Sequence, residues 1–108
     1  WVTYDAQSKA IKDSFNVDSV TYVQKGVFII NFDSNMANTN YAVVGSSANY
    51  TSDYTAVVPA IDQRASYTGS GGNTGGLDLK TVSQLQITTA ASTTVFDPAE
   101  WSVVIYGA

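Results

Sequence analysis

Three segments of the chain carry apolar residues on both faces of a predicted strand, and this feature limits what the chain can fold into. A strand of a two-sheet sandwich normally buries one face and leaves the other in water. The second apolar face of each segment needs a cover, because a large bare apolar patch promotes association. The opposing sets are Phe28, Ile30 and Phe32 against Val27 and Ile29, Ala42 and Val44 against Tyr41 and Val43, and Trp101, Val103 and Ile105 against Val104 and Tyr106.

Two covers are possible for these faces. The segment 47–80 could fold back over one sheet, or identical copies could pack against each other, most simply as a trimer or another ring. Only 13% of the residues are charged, and 31 of the 108 are Ser, Thr or Asn. Such a surface suits a permanently assembled protein, so we expect a homo-oligomer and keep the intramolecular cover as the alternative.

The composition and the turn residues predict an all-β domain. The strand-favouring types Val, Ile, Thr, Tyr, Phe and Trp total 44 residues, against 27 for the helix-favouring types. Residues 17–24 and 27–32 predict a hairpin, because the glycine of Lys25-Gly26 can adopt the positive φ of the turn. Further strands are predicted at 11–17, 41–46, 55–61, 81–89 and 101–106. With about seven or eight short strands and one long glycine-rich loop, residues 1–108 predict a single antiparallel β-sandwich, jelly-roll-like in type.

The missing residue types exclude several functions. The chain has no Cys and no His, which excludes disulfides, thiolate or imidazole metal sites and Ser-His-Asp catalysis. Five scattered basic residues and a net charge of −4 exclude a nucleic-acid surface. No apolar run approaches the roughly 18 residues of a membrane span. We therefore expect no nucleic-acid partner and no membrane insertion.

Carboxylates are the remaining candidates for catalysis or metal binding. Asp53, Asp62, Asp78, Asp97 and Glu100 fall in or beside predicted loops, but no spacing brings a pair together as a glycosidase needs. The segment 33–35 (Asp-Ser-Asn) resembles half of a calcium loop without its glycine and glutamate, and predicts a polar turn. The glycine-rich stretch 69–76 lacks the ending of a phosphate-binding loop. We therefore predict no enzyme, no metal and no cofactor.

Tyrosines in the polar middle of the chain are the candidate binding residues. A tyrosine offers a large contact area at low entropic cost and keeps a polar tip. These rings and their polar neighbours could form a tip that binds a glycan or a protein, or they could anchor the long loop to the sandwich. The candidates are Tyr50, Tyr54 and Tyr67, with Asp53, Asp62, Arg64 and Asn73.

Five patches resemble the distal, C-terminal domains of bacteriophage tail fibres and related virion fibre proteins, especially of marine and cyanobacterial phages. They cover most of the chain in order, but they consist of β-framework residues rather than chemistry. The middle, 47–80, carries no motif of that family, so no receptor-contacting residue transfers. The patches are Trp1-Val2, the stretch 11–20 around Ser14-Phe15-Asn16-Val17, the strand 26–32, the stretch 36–46 with Tyr41-Ala42-Val43-Val44-Gly45, and the closing strand 101–107.

The resemblance implies a trimeric β-sandwich in a virion fibre that contacts the host cell surface. Its partners would be copies of itself, other virion proteins and a host glycan or protein. Because the chain starts at Trp1 rather than methionine, we expect it to be the C-terminal part of a longer fibre chain. The alternatives are a purely structural domain for virion or fibre assembly and a polysaccharide depolymerase, which usually needs a long β-helical groove.

Overall fold

The computed structural model describes residues 1–48, 58–61, 80–91, 94–95 and 97–107. Over these residues it forms two antiparallel sheets packed face to face and no helix, so the predicted all-β sandwich is confirmed. The strands are β1 (Val2–Asp5), β2 (Ala10–Ser14), β3 (Val17–Gln24), β4 (Val27–Phe32), β5 (Ala42–Ala48), β6 (Val58–Ile61), β7 (Gln84–Ala91), β8 (Thr94–Val95) and β9 (Glu100–Tyr106).

Each sheet joins strands that are distant in the sequence. Sheet A has the order β2-β1-β9-β5, and sheet B has the order β3-β4-β7-β6, with β8 paired to β7. The predicted hairpin is β3 and β4, and Gly26 turns it with a φ of 75°. A side chain disfavours that φ, so glycine fits this position.

The core lies between the sheets and is rich in aromatic rings. Tyr4, Phe28 and Trp101 contact one another with ring centroids 5.1 to 5.5 Å apart, and Tyr22 meets Phe28 edge to face. Such pairs add about 0.5–1.5 kcal/mol beyond the area they bury. The core cluster is Val2, Tyr4, Ala6, Phe28, Ile30, Phe32, Tyr41, Leu85, Ile87, Trp101 and Val103.

The structure adds local detail that the sequence pattern did not predict. Residues 2–5 form a strand between β2 and β9, although only Trp1-Val2 stood out there as apolar. The strand predicted from residue 81 begins at Gln84, because the Thr81 hydroxyl accepts the N–H groups of Ser83 and Gln84 and makes a turn. The part of the chain that the structure describes contains no helix long and apolar enough to cross a membrane.

Candidate functional site on the outward face of sheet A

The register of sheet A sorts its outward side chains into rows. Val44 lies opposite Val104, and Ala42 lies opposite Tyr106. Directly opposed residues of an antiparallel pair project from the same face. These four residues alternate with Val103, a core residue, so they project away from the core.

Trp1 and Phe15 extend one of these rows across the sheet. The backbone N–H of Phe15 donates to the carbonyl of Trp1 at 2.8 Å, and the Trp1 nitrogen donates back to the carbonyl of Phe15 at 3.1 Å. Val2 pairs with Val103 on the other side, so the same register one residue further places Trp1 beside Val104. One row therefore runs Phe15, Trp1, Val104, Val44, and the next contains Tyr106 and Ala42. We refer to these six residues as the apolar rows.

The large side chains of the apolar rows are open to solvent in a single chain. Phe15 is 71% exposed, Tyr106 62%, Val44 59% and Trp1 43%. Five large apolar side chains are exposed over the described residues, and four of them belong to the apolar rows. The fifth is Val23, on β3 of the other sheet. The exposed apolar surface is therefore concentrated in one place rather than scattered singly.

Polarity rises along the same face. In the next row Ser46 lies opposite Ser102, whose hydroxyl is 3.0 Å from that of Thr3. Beyond it Glu100 accepts a 2.6 Å hydrogen bond from the Lys12 ammonium. That hydrogen bond raises the pKa of Lys12 above its usual value. The outward face of sheet A thus grades from apolar at one end to charged at the other.

The apolar surface continues around the end of the sandwich. Trp1 and Phe15 border a cleft of about 170 Å³. The Asn16 amide on its rim is committed to the loop after β4, since its Nδ2 donates to the carbonyl of Ser34 and its Oδ1 accepts the N–H of Ser34. The remaining lining is apolar and consists of Val17, Phe32, Met36 and Ile105.

The residues predicted from the sequence as binding candidates lie outside the described part of the chain. They are Tyr50, Tyr54, Tyr67, Asp53, Asp62, Arg64 and Asn73. The apolar rows include two residues that sequence reasoning had not grouped with β5 and β9, namely Trp1 and Phe15. The apolar character of Trp1 and Phe15 was visible in the sequence. The pairing of β1 with both β2 and β9, however, joins residues up to about 100 positions apart, so it leaves no local signal in the sequence.

Two carboxylates considered for chemistry have structural partners. Asp97 accepts the Tyr22 hydroxyl at 2.6 Å and the Gly26 N–H at 2.7 Å, so it ties the β3–β4 turn to the connection before β9. The hydrogen bond to Asp97 raises the pKa of Tyr22 to about 12. Glu100 is held by Lys12. Over the described residues, no three acidic side chains gather closely enough to hold a metal ion.

Comparison with known proteins yields no relative that would assign a function. No family model, no curated protein and no solved structure matches the chain. A functional proposal therefore rests on the geometry of the described residues and on the sequence itself.

Proposed function

We propose that the chain is a non-enzymatic domain of a bacteriophage virion fibre, that it associates as a trimer through the apolar rows, and that it mediates adhesion to the host surface. The observation that carries the proposal is the concentration of exposed apolar side chains on one face of sheet A. The resemblance of the framework patches to distal fibre domains supplies the class of assembly. A virion location, outside the cell, belongs to the same proposal.

The size of the apolar surface favours association. Fully burying one large apolar side chain is worth about 1.5–3 kcal/mol, and about half of that remains to be gained when the side chain is half exposed. Four such side chains per copy give each interface several kcal/mol to set against an association cost of about 4–15 kcal/mol. None of the six side chains is charged, so no ionised side chain of the apolar rows has to be desolvated in the interface.

The course of the chain leaves the other end of the sandwich available for binding. β5 begins at Ala42 in the apolar rows and ends at Ala48, opposite Glu100. Seven strand residues at about 3.3 Å each separate these ends by roughly 20 Å. The candidates Tyr50, Asp53 and Tyr54 follow Ala48 in the sequence, so self-association through the apolar rows leaves their attachment point free.

The association half of the proposal is tested by measuring molar mass with light scattering. We expect the chain to be a trimer at micromolar concentration and Val44→Asp to be a monomer, because the carboxylate would have to be buried in the interface. Val23→Asp is the matched control, since it charges an exposed valine of similar accessibility outside the apolar rows. A wild-type monomer, or a Val44→Asp trimer, contradicts the proposal.

The adhesion half is tested by adsorption of the fluorescently labelled trimer to cyanobacterial cells. We expect the triple variant Tyr50→Ala, Tyr54→Ala, Tyr67→Ala to lose adsorption while its melting temperature stays nearly unchanged. A collapse of stability would instead show that these rings anchor the loop. A trimer that binds no cell but is required for particle assembly supports the alternative, a purely structural virion domain, which the apolar rows favour equally.

A further inference from the structure

A trimer with threefold symmetry uses two different surfaces of each copy. Its contacts run head to tail, so one patch of a chain meets a different patch of the next chain. The strand order of sheet A divides the apolar rows into two such patches. Trp1 and Phe15 form the first half, beside β1 and β2. The second half lies on β9 and β5 and consists of Val104, Tyr106, Ala42 and Val44.

The two halves of the apolar rows differ in shape. Trp1 and Phe15 border the cleft of about 170 Å³ at the end of the sandwich. The other half carries Tyr106, an exposed aromatic residue at the end of β9. Ile105 lines the cleft, and because successive strand residues point to opposite faces, Tyr106 points away from the cleft of its own chain. One half thus offers a recess and the other a protruding ring, which suits a contact between two copies.

The cleft matches a tyrosine side chain in size and polarity. A cavity of about 150 Å³ holds a benzene molecule, so this cleft has room for one aromatic ring. None of the seven described residues that line it is charged, and Asn16 on the rim is the one with a polar side chain able to accept a hydrogen bond. The Asn16 amide oxygen accepts one hydrogen bond, from the Ser34 N–H, and has a second lone pair for a tyrosine hydroxyl.

The area of the apolar rows also favours a contact deeper than flat packing. An aromatic side chain buries about 150–250 Å², so the exposed parts of Phe15, Tyr106 and Trp1 together offer roughly 250–450 Å² per copy. A stable interface buries about 600 Å² or more on each partner, and each copy of a trimer makes two interfaces. The rows alone fall short of this, whereas a ring inserted into the adjoining cleft adds the cleft lining to the contact.

We propose, on the premise that the chain is the trimer proposed above, that the Tyr106 ring of each copy inserts into the cleft of the next copy, with its hydroxyl donating to the Asn16 Oδ1 there. Each copy then gives one ring and receives one, so the assembly closes with all three clefts filled. The partner is a second copy of this chain, because the apolar surface of the rows continues without a break into the cleft.

Photo-cross-linking shows where the side chain at position 106 lies. Tyr106 is replaced by p-benzoylphenylalanine, and trimers are assembled from unlabelled and ¹⁵N-labelled chains, so that mass spectrometry separates cross-links between copies from those within one copy. We expect cross-links between copies from position 106 to the segments 15–17 or 32–36. The same photoreactive residue at Val23, which is exposed outside the apolar rows, should give none between copies. If the variant at position 106 does not assemble, the photoreactive residue at Phe15 should link to 104–106 of another copy.

Truncation of the ring measures its contribution to the trimer. Tyr106→Ala should raise the concentration at which half of the trimer dissociates by at least about tenfold, because central aromatic residues carry much of the binding energy of an interface. Tyr106→Phe keeps the ring and should raise that concentration less. Val23→Ala is the control and should leave it unchanged. Sedimentation equilibrium measures all three, and equal values for Tyr106→Ala and the wild type contradict the insertion.

The remaining outcomes overturn the insertion and separate its failure from that of the trimer. Cross-links from position 106 to position 106 or to 42–44 of another copy show that equal halves of the apolar rows meet. Cross-links within one copy only, or none at all, show that the ring does not enter a neighbouring cleft. A wild-type chain that is a monomer by light scattering refutes the trimer itself, whereas a trimer with any of these cross-linking results refutes the insertion alone.

Discussion

The apolar residues on the outward faces of the two sheets differ in their exposure to solvent. On sheet B, Ile29 is half-buried between Thr21 and Gln86, and Val27 is 0% exposed opposite Thr88. On sheet A, Val44 and Tyr106 are about 60% exposed. Both faces belong to strands with apolar residues on both sides. One chain thus covers the second face of β4 around Val27 but leaves those of β5 and β9 open.

The outward faces of the two sheets also differ in their polar contacts. The Asn31 amide on sheet B donates to the Ser19 and Thr21 hydroxyls, each at 3.1 Å, so the outward face beside Ile29 is hydrogen-bonded. The Asp97 carboxylate holds Gly26, directly before Val27. Among the described residues, no comparable side-chain hydrogen bond crosses the apolar rows, where the facing pairs are Val44 with Val104 and Ala42 with Tyr106.

Replacing a valine by aspartate on each outward face should give the largest difference in the free energy of unfolding. Val27→Asp places a carboxylate at a fully buried position, so we expect a loss of more than about 3 kcal/mol or failure to fold. Val44→Asp places the same group in solvent and should change the free energy of unfolding of the monomer by less than about 0.5 kcal/mol. Urea denaturation followed by tryptophan fluorescence, at a concentration where both proteins are monomers, measures the two values. Equal losses would show that the two faces do not differ.

Much of the fold was predictable because its signals are local. The Lys25-Gly26 turn and the alternation on either side of it specify β3 and β4, and the apolar alternation of 101–106 specifies β9. The position of β1 was not predictable, since Val2–Asp5 is short and its partners lie far away in the sequence. The hydrogen bond between Asp97 and Tyr22 was also not predictable, because nothing in the sequence distinguishes a turn aspartate that contacts a distant side chain from one that does not.

Removing the Tyr22 hydroxyl tests whether its hydrogen bond to Asp97 stabilises the end of sheet B that contains Val27. Tyr22→Phe keeps the ring against Phe28 and deletes the 2.6 Å hydrogen bond to the carboxylate. A hydrogen bond to a charged group is worth about 1.5–3 kcal/mol, so we expect a loss near the lower end, about 1.5 kcal/mol. Amide hydrogen exchange at Val27 should accelerate as well. Unchanged exchange there would separate the Asp97 contact from the burial of Val27.

The Tyr22 hydroxyl should also make the free energy of unfolding depend on pH in the alkaline range. The Tyr22 pKa is raised from 10 to about 12, because its hydroxyl donates to the Asp97 carboxylate. A raised pKa means that this contribution is fully present below pH 10 and is lost as the pH rises through 12. Burial also raises the pKa of Tyr41 to about 12, so Tyr22→Phe should remove only part of the alkaline loss. Stability curves from pH 8 to 12 for the wild type, Tyr22→Phe and Tyr41→Phe resolve the two contributions.

The candidate site was predictable only in part, for a physical reason. The excess of apolar strand faces was visible in the sequence and included Val44 and Tyr106, but the pattern did not specify which residues of each strand lie uncovered in one chain. Val27 also lies on the second apolar face of its strand, yet it is buried. Whether an outward residue is covered depends on its tertiary neighbours, which alternation does not encode.

The smallest expected effect comes from making sheet B more like sheet A at a single point. Asn31→Val removes two neutral hydrogen bonds from an outward position and adds a residue with higher strand propensity, so we expect the free energy of unfolding to change by about 0.5 kcal/mol or less. Its row still contains Ser19 and Gln84, so one valine creates no apolar patch and the molar mass should stay that of the wild type. Sedimentation velocity checks this. Larger assemblies from Asn31→Val would mean that one exposed apolar residue suffices for association, and the contiguity of the apolar rows would then lose its significance.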